Sequence, residues 1–101
     1  MPKIYEYLGI AILFYSNEHE PVHVHGKYQG CETKAEFIIV EGKITEVIFR
    51  EVRGRKPLPP SEYKEFKQFV EAFQNEIVQK WIDYFVFHKQ LHCIKIEGKI
   101  R

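Results

Sequence analysis

Cysteine is scarce in this chain of 101 residues: Cys31 and Cys93 are the only two. Two thiols so far apart do not make a disulfide framework, and the expectation is a reducing compartment. Long apolar runs are also missing. The longest, Leu8 to Tyr15, falls well short of the roughly 18 to 20 residues that cross a bilayer. Lys3 and Glu6 precede it without a small-residue cleavage pattern, so the N-terminus reads as mature cytoplasmic protein without a membrane segment. Neither sign of charge dominates, because fifteen basic residues face fourteen acidic ones for a net charge of +1. No global field draws this chain to nucleic acid or to an anionic membrane, and any such role rests on a local patch. The sequence also lacks a phosphate-cradling glycine loop, a Gly-x-Ser-x-Gly elbow and a Cys-x-x-Cys pair. Internal repeats and low-complexity tracts are absent.

What is present is apolar material for one small core, with 45% of residues hydrophobic. The whole span 1–101 is expected to form a single domain. Its first half, residues 1–52, reads as β. Ile10 to Tyr15 is a short apolar run of the kind that forms a buried strand, ended by Ser16-Asn17-Glu18. Pro21 holds Glu20 extended and leads into a second strand, Val22 to Tyr28. Gln29-Gly30 supplies a two-residue turn into a third strand from Cys31 to Val40, and Glu41-Gly42-Lys43 a turn into a fourth, Ile44 to about Val52.

Residues 53–60, Arg-Gly-Arg-Lys-Pro-Leu-Pro-Pro, form a basic, turn-rich connection to the α half, residues 61–101. Ser61 is a candidate N-cap, and Phe66, Val70, Phe73, Ile77, Trp81 and Tyr84 or Phe85 recur at helical spacing with polar residues between them. No glycine or proline stands between Pro60 and Gly98, so the pattern predicts one long amphipathic helix to about His88. The aromatic stripe of Phe66, Phe69, Phe73, Trp81 and Phe85 is read as core packing and not as a ligand pocket. The alternation of His92 to Glu97 predicts a short final strand on a sheet edge. The expected fold is therefore α+β: a four-stranded antiparallel meander packed against one C-terminal helix.

Three of the five histidines lie in the stretch Asn17-Glu-His-Glu-Pro-Val-His-Val-His-Gly26. A hairpin turning at Gln29-Gly30 sets Tyr28 opposite Cys31, His25 opposite Lys34, Val24 opposite Ala35, His23 opposite Glu36 and Val22 opposite Phe37. Val22, Val24, Tyr28, Cys31, Ala35, Phe37 and Ile39 then line one face; His23, His25, Lys27, Glu32, Lys34 and Glu36 line the other. Two residues at i and i+2 share a face about 6.5 to 7 Å apart, a gap that two imidazoles close over one ion. His19, across the Pro21 bend, could supply a third nitrogen, and Glu18, Glu20 or cross-strand Glu36 a carboxylate that ligates the ion or orients a ring. Three nitrogens plus water would make a zinc or other transition-metal site with an open position for hydrolysis. The opposing expectation is a solvated polar face or a partner-binding surface, in which two histidines among lysine and glutamate are ordinary.

Other constellations carry less. His88 and His92 stand at i,i+4, which on a helix would present both to one metal, although the helix is expected to end between them. Arg53, Arg55 and Lys56, with Arg50, form a short basic patch suited to phosphate or RNA backbone, against a solvated loop. A His-triad nucleotide hydrolase would need a further histidine where Lys27 stands.

The Met-Pro start, the apolar strand, the Asn17 to Gly26 stretch with Tyr28 and Gly30 after it, and the later Lys56-Pro-Leu-Pro-Pro and Gln79-Lys-Trp-Ile-Asp-Tyr-Phe-Val together resemble the short bacterial proteins grouped as domain of unknown function 4160. Tyr28-Gln29-Gly30 departs from that family's double-glycine turn. The motif positions are His19, Pro21, His23 and His25, with Trp81 as a core anchor. The resemblance implies a small cytoplasmic bacterial protein, often encoded beside another small domain of unknown function and suspected of belonging to toxin–antitoxin-like pairs; it implies no particular reaction. Two functional expectations stand side by side. One is a divalent-metal-binding, hydrolase- or nuclease-like component of such a pair, and the other a non-enzymatic module that binds a small protein encoded nearby.

Overall fold

The computed structural model describes residues 2–15 and 21–100. Six strands form one sheet in the spatial order β5-β4-β3-β2-β1-β6, comprising β1 Lys3–Tyr7, β2 Ile10–Leu13, β3 His23–Tyr28, β4 Cys31–Val40, β5 Lys43–Glu51 and β6 Ile94–Ile96. Two helices, α1 Pro60–Ala72 and α2 Gln74–Phe85, lie between β5 and β6 in the chain. Strands β1 to β5 pair antiparallel in sequence order, and β6 returns parallel to β1.

The architecture is α+β as expected, but the sheet is wider than a four-stranded meander. Lys3-Ile-Tyr-Glu-Tyr forms an additional strand, β1, which turns into β2 at Leu8-Gly9. The turn pairs Leu8 at φ 50° with Gly9 at φ 80°. Gln29-Gly30, with φ 47° and 81°, repeats that geometry, in which both central residues are left-handed, matching the twist of the flanking strands. The short final strand is present, reduced to Ile94–Ile96.

The expected single helix is two. A straight helix from Ser61 to His88 would be about 42 Å long at 1.5 Å per residue. The longest dimension of the molecule is 33 Å, so the chain must bend to stay on the sheet. It bends at Phe73, where Phe69 and Phe73 stack at 4.4 Å between ring centroids and both meet the ring of Tyr5 edge-on. Phe73 N–H still donates to Phe69 O and Ile77 N–H to Phe73 O, so the bend costs few hydrogen bonds. Ser61 is not the cap either. Pro59 precedes the helix, Pro60 occupies its first turn, where a missing N–H costs nothing, and the Ser61 hydroxyl donates to Glu62. Among the described residues, helix ends at Phe85 and His88 is left-handed at φ 55°, so no helical turn joins His88 to His92.

The helices cover one face of the sheet. Phe66, Phe69, Val70 and Ile77 pack with Tyr5, Tyr7, Ile10, Ile12, Val24, Ala35 and Phe37, all fully or nearly fully buried. The aromatic stripe is thus core, as its spacing predicted. Cys31 packs at the core's margin. Ile39, expected inside, is 37% exposed because the β4–β5 hairpin runs past the end of β3. Gly26 is what lets α1 approach: a Cβ there would lie 2.6 Å from a ring carbon of Phe66. No helix among the described residues is long and apolar enough to cross a membrane.

Candidate functional site

The expected register of the β3–β4 hairpin is the observed one, with His23 opposite Glu36, His25 opposite Lys34 and Tyr28 opposite Cys31. Strand alternation therefore puts His23 and His25 together on the face away from the helices. That face is not solvated at this point. His23 is 5% exposed and His25 and Glu32 each 2%, which overturns the expectation of two imidazoles on an ordinary polar surface.

The cover comes from residues distant in sequence. Leu13 of β2 pairs with His25, and Tyr15, two residues further on, reaches the same face. Its ring meets the His25 ring edge-on at 4.4 Å. Its hydroxyl donates to Glu32 Oε2 at 3.0 Å. The basic connection is pinned alongside the start of β4: Glu32 N–H donates to Lys56 O, Cys31 bridges Lys56, and Leu58 N–H donates to the Thr33 hydroxyl. This delivers Arg55 to the site, with its Nε 3.7 Å from Glu32 Oε1.

Glu32 is the centre of the arrangement. Its buried carboxylate faces the tyrosine hydroxyl, the guanidinium and His25 Nδ1, which lies 2.9 Å from Oε2. A carboxylate only accepts, so the nitrogen facing it, Nδ1, is the one that carries an N–H, and Nε2 is the ring's other nitrogen. His23 follows the same rule with a different partner. Its Nδ1 is within hydrogen-bond distance of the carbonyl oxygen of Pro21, which again leaves Nε2 as the other ring nitrogen.

The sequence-predicted residues divide accordingly. His23 and His25 come together, with ring centroids 5.0 Å apart and planes 68° apart. His19 lies outside the described residues. Glu36 is directly opposite His23, but its carboxylate is held by Arg50 Nε at 2.6 Å and by Lys34 at 3.6 Å. Glu32, the diagonal neighbour of His25, takes the orienting position instead. Arg55 and Lys56 belong to the site's wall; Arg53 is an exposed residue of the turn between them and β5. Among the described residues, no group of three or more His, Cys, Asp or Glu side chains is placed to hold a metal ion.

Sequence reasoning missed Glu32 and Tyr15. Glu32 was available from the register, since same-face diagonal pairs lie about 7 to 8 Å apart, within reach of a glutamate. Tyr15 required the β2–β3 register, which no turn between those strands specified.

A sheet with helices on one face and a buried His–Glu cluster on the other defines the class of this fold and site. The family model described as Domain of unknown function (DUF4160) matches residues 9–82, and the chain belongs to that family. The matched span runs from the β1–β2 turn through most of α2 and includes every member of the cluster. No curated protein and no solved structure matches the chain.

Proposed function

We propose that the protein binds a divalent metal ion, zinc or another transition metal, through Nε2 of His23 and His25, and that it uses the ion hydrolytically. The observation that carries this reading is the way both rings are held. Metal-binding histidines almost always give their other ring N–H to a carboxylate or a backbone carbonyl. His25 has the first in Glu32 and His23 the second in Pro21.

The ring separation supports it. An imidazole bound to zinc at about 2.0 to 2.1 Å has its centroid about 3.2 Å from the ion, so two such rings at a tetrahedral angle lie about 5.2 Å apart. Their centroids here are 5.0 Å apart. An ion at this place would supply Lewis acidity and an activated water. The chain's own part is to orient both rings, cover His25 with Tyr15, and hold Arg55 at Glu32. His19 is proposed as a further ligand on sequence grounds, and a nuclease-like role within a toxin–antitoxin-like pair as the use of the site.

Metal analysis of tag-free protein tests the reading. One equivalent of zinc, manganese or nickel is expected, falling well below that in His23→Ala and His25→Ala, with His19→Ala reporting on the third nitrogen. Absence of stoichiometric metal, or unchanged binding in both variants, overturns it.

A second reading is favoured by a separate observation. Ile38, Ile39 and Val40 are exposed near the tip of the β4–β5 hairpin, and Val86 and Phe87 just after α2. These fit a non-enzymatic module that binds a small neighbouring-gene partner. Co-expression with that gene product would give a complex that Ile39→Asp weakens; a chain that never co-purifies with it discards the reading.

A further inference from the structure

We infer that the site recognises a phosphate group through Arg55, an assignment that rests on the metal-binding reading and names its ligand class. Three strands place a row of residues directly opposite one another on the helix-free face, with His25 paired to Lys34 and Lys34 to Arg50. Arg55 flanks the same histidine from the loop, through Glu32. Among the described residues, Lys34, Arg50 and Arg55 lie around the carboxylates Glu32 and Glu36, with Lys27 opposite Glu32 on the same face. A bound divalent ion would add two more positive charges. The ligand that such a charge balance attracts is an anion.

Lys34, Arg50 and Arg55 are not equivalent. Glu36 takes the Nε of Arg50 at 2.6 Å and lies 3.6 Å from Lys34, so those two share one carboxylate on the open sheet. Arg55 differs in its partner: its Nε is turned to the buried Glu32, the carboxylate that also contacts His25, while its side chain, like that of Arg50, is about half exposed. Its backbone is fixed by the turn in which Arg55 N–H donates to Val52 O at 3.0 Å and by the Lys56 contacts to β4. A half-exposed guanidinium paired through Nε with the carboxylate that contacts His25 can offer its remaining planar fork as the parallel N–H donors that a phosphate accepts. Lysine would neutralise Glu32 equally well but would offer no fork.

The chemistry is shared by free phosphate and by the phosphodiester of a nucleic acid. Tag-free protein, zinc-loaded and metal-free, is titrated calorimetrically with inorganic phosphate and, separately, with a dinucleoside phosphodiester. Binding of phosphate to the zinc form is expected to weaken about tenfold or more in Arg55→Gln, the range expected for hydrogen bonds to a charged group. Zinc stoichiometry is measured in the same variant, so that loss of phosphate binding is separated from loss of the ion. Arg55→Lys is expected to fall between, and serves if the glutamine variant does not fold. Phosphate affinity that is equal in wild type and Arg55 variants overturns the inference while leaving the metal site standing. If zinc does not bind, the metal reading falls alone, and the metal-free titration decides: Arg55-dependent phosphate binding sustains the inference, and its absence ends it. Preference for the dinucleotide over free phosphate identifies nucleic acid as the source.

Discussion

His25 Nδ1 and Glu32 Oε2 stand 2.9 Å apart between adjacent strands, with neither side chain more than 3% exposed. Isolated burial of such a carboxylate is strongly unfavourable, so its histidine, tyrosine and arginine partners must exist together. The carboxylate in turn orients the imidazole. Replacement by Glu32→Gln keeps the shape and removes the charge. At the proposed metal site, zinc affinity is expected to drop about 10- to 100-fold, the usual effect of deleting a carboxylate behind a ligating histidine. Chelator competition measures it, and an unchanged affinity would show that Glu32 serves structure alone.

Tyr15→Phe removes the hydroxyl that donates to the same Glu32 oxygen. A hydrogen bond to a charged group is worth about 1.5 to 3 kcal/mol, so the urea midpoint should fall with little change in slope. The edge-on ring contact to His25 survives in the variant. Metal affinity should therefore suffer less than in Glu32→Gln.

Gly26→Ala tests the other face of the same strand. Its Cβ would meet Phe66 at 2.6 Å, and the cost of such overpacking is about 1 to 3 kcal/mol. Adding Phe66→Leu should recover part of the lost thermal stability. Full stability in Gly26→Ala would mean that α1 shifts freely on the sheet.

Alkaline pH gives a prediction from Tyr5. Burial, reinforced by the negative charge of Glu76, holds the Tyr5 phenol above its ordinary 10.0. The folded state thus keeps this proton more tightly than the unfolded state. Its contribution is fully present below pH 10 and is lost as pH rises through the raised folded value. Stability measured across that range should fall less steeply in Tyr5→Phe than in wild type. Equal slopes would show that other tyrosines control the alkaline limb.

Much of the fold could be read residue by residue. The Gln29-Gly30 turn specified the β3–β4 register, and the bounds of β4, Cys31 to Val40, follow from it. β1 was harder, because Lys3-Ile-Tyr-Glu-Tyr buries Ile4, Tyr5 and Tyr7 around a register irregularity, which spoils clean alternation, and its turn hides inside an apolar run. The helix bend left no local mark. No breaker occupies Phe73, and the constraint is the size of the sheet beneath it. At the site, alternation brought His23 and His25 to one face. The Glu32 cluster beside them was not legible, since Tyr15 and Arg55 reach Glu32 from separate segments.

The amide of Ile100 donates to the hydroxyl of Tyr7, 93 positions earlier, beside the parallel β1–β6 pair. Contacts of that span are entropically expensive to close and are among the last to form. Strand β6 is only three residues long and mostly exposed, so its opening costs little of the main core. The edge should fray as an independent unit in hydrogen exchange. Strands β2 to β4, which carry the histidine cluster, would stay closed while the β6 edge opens and recloses.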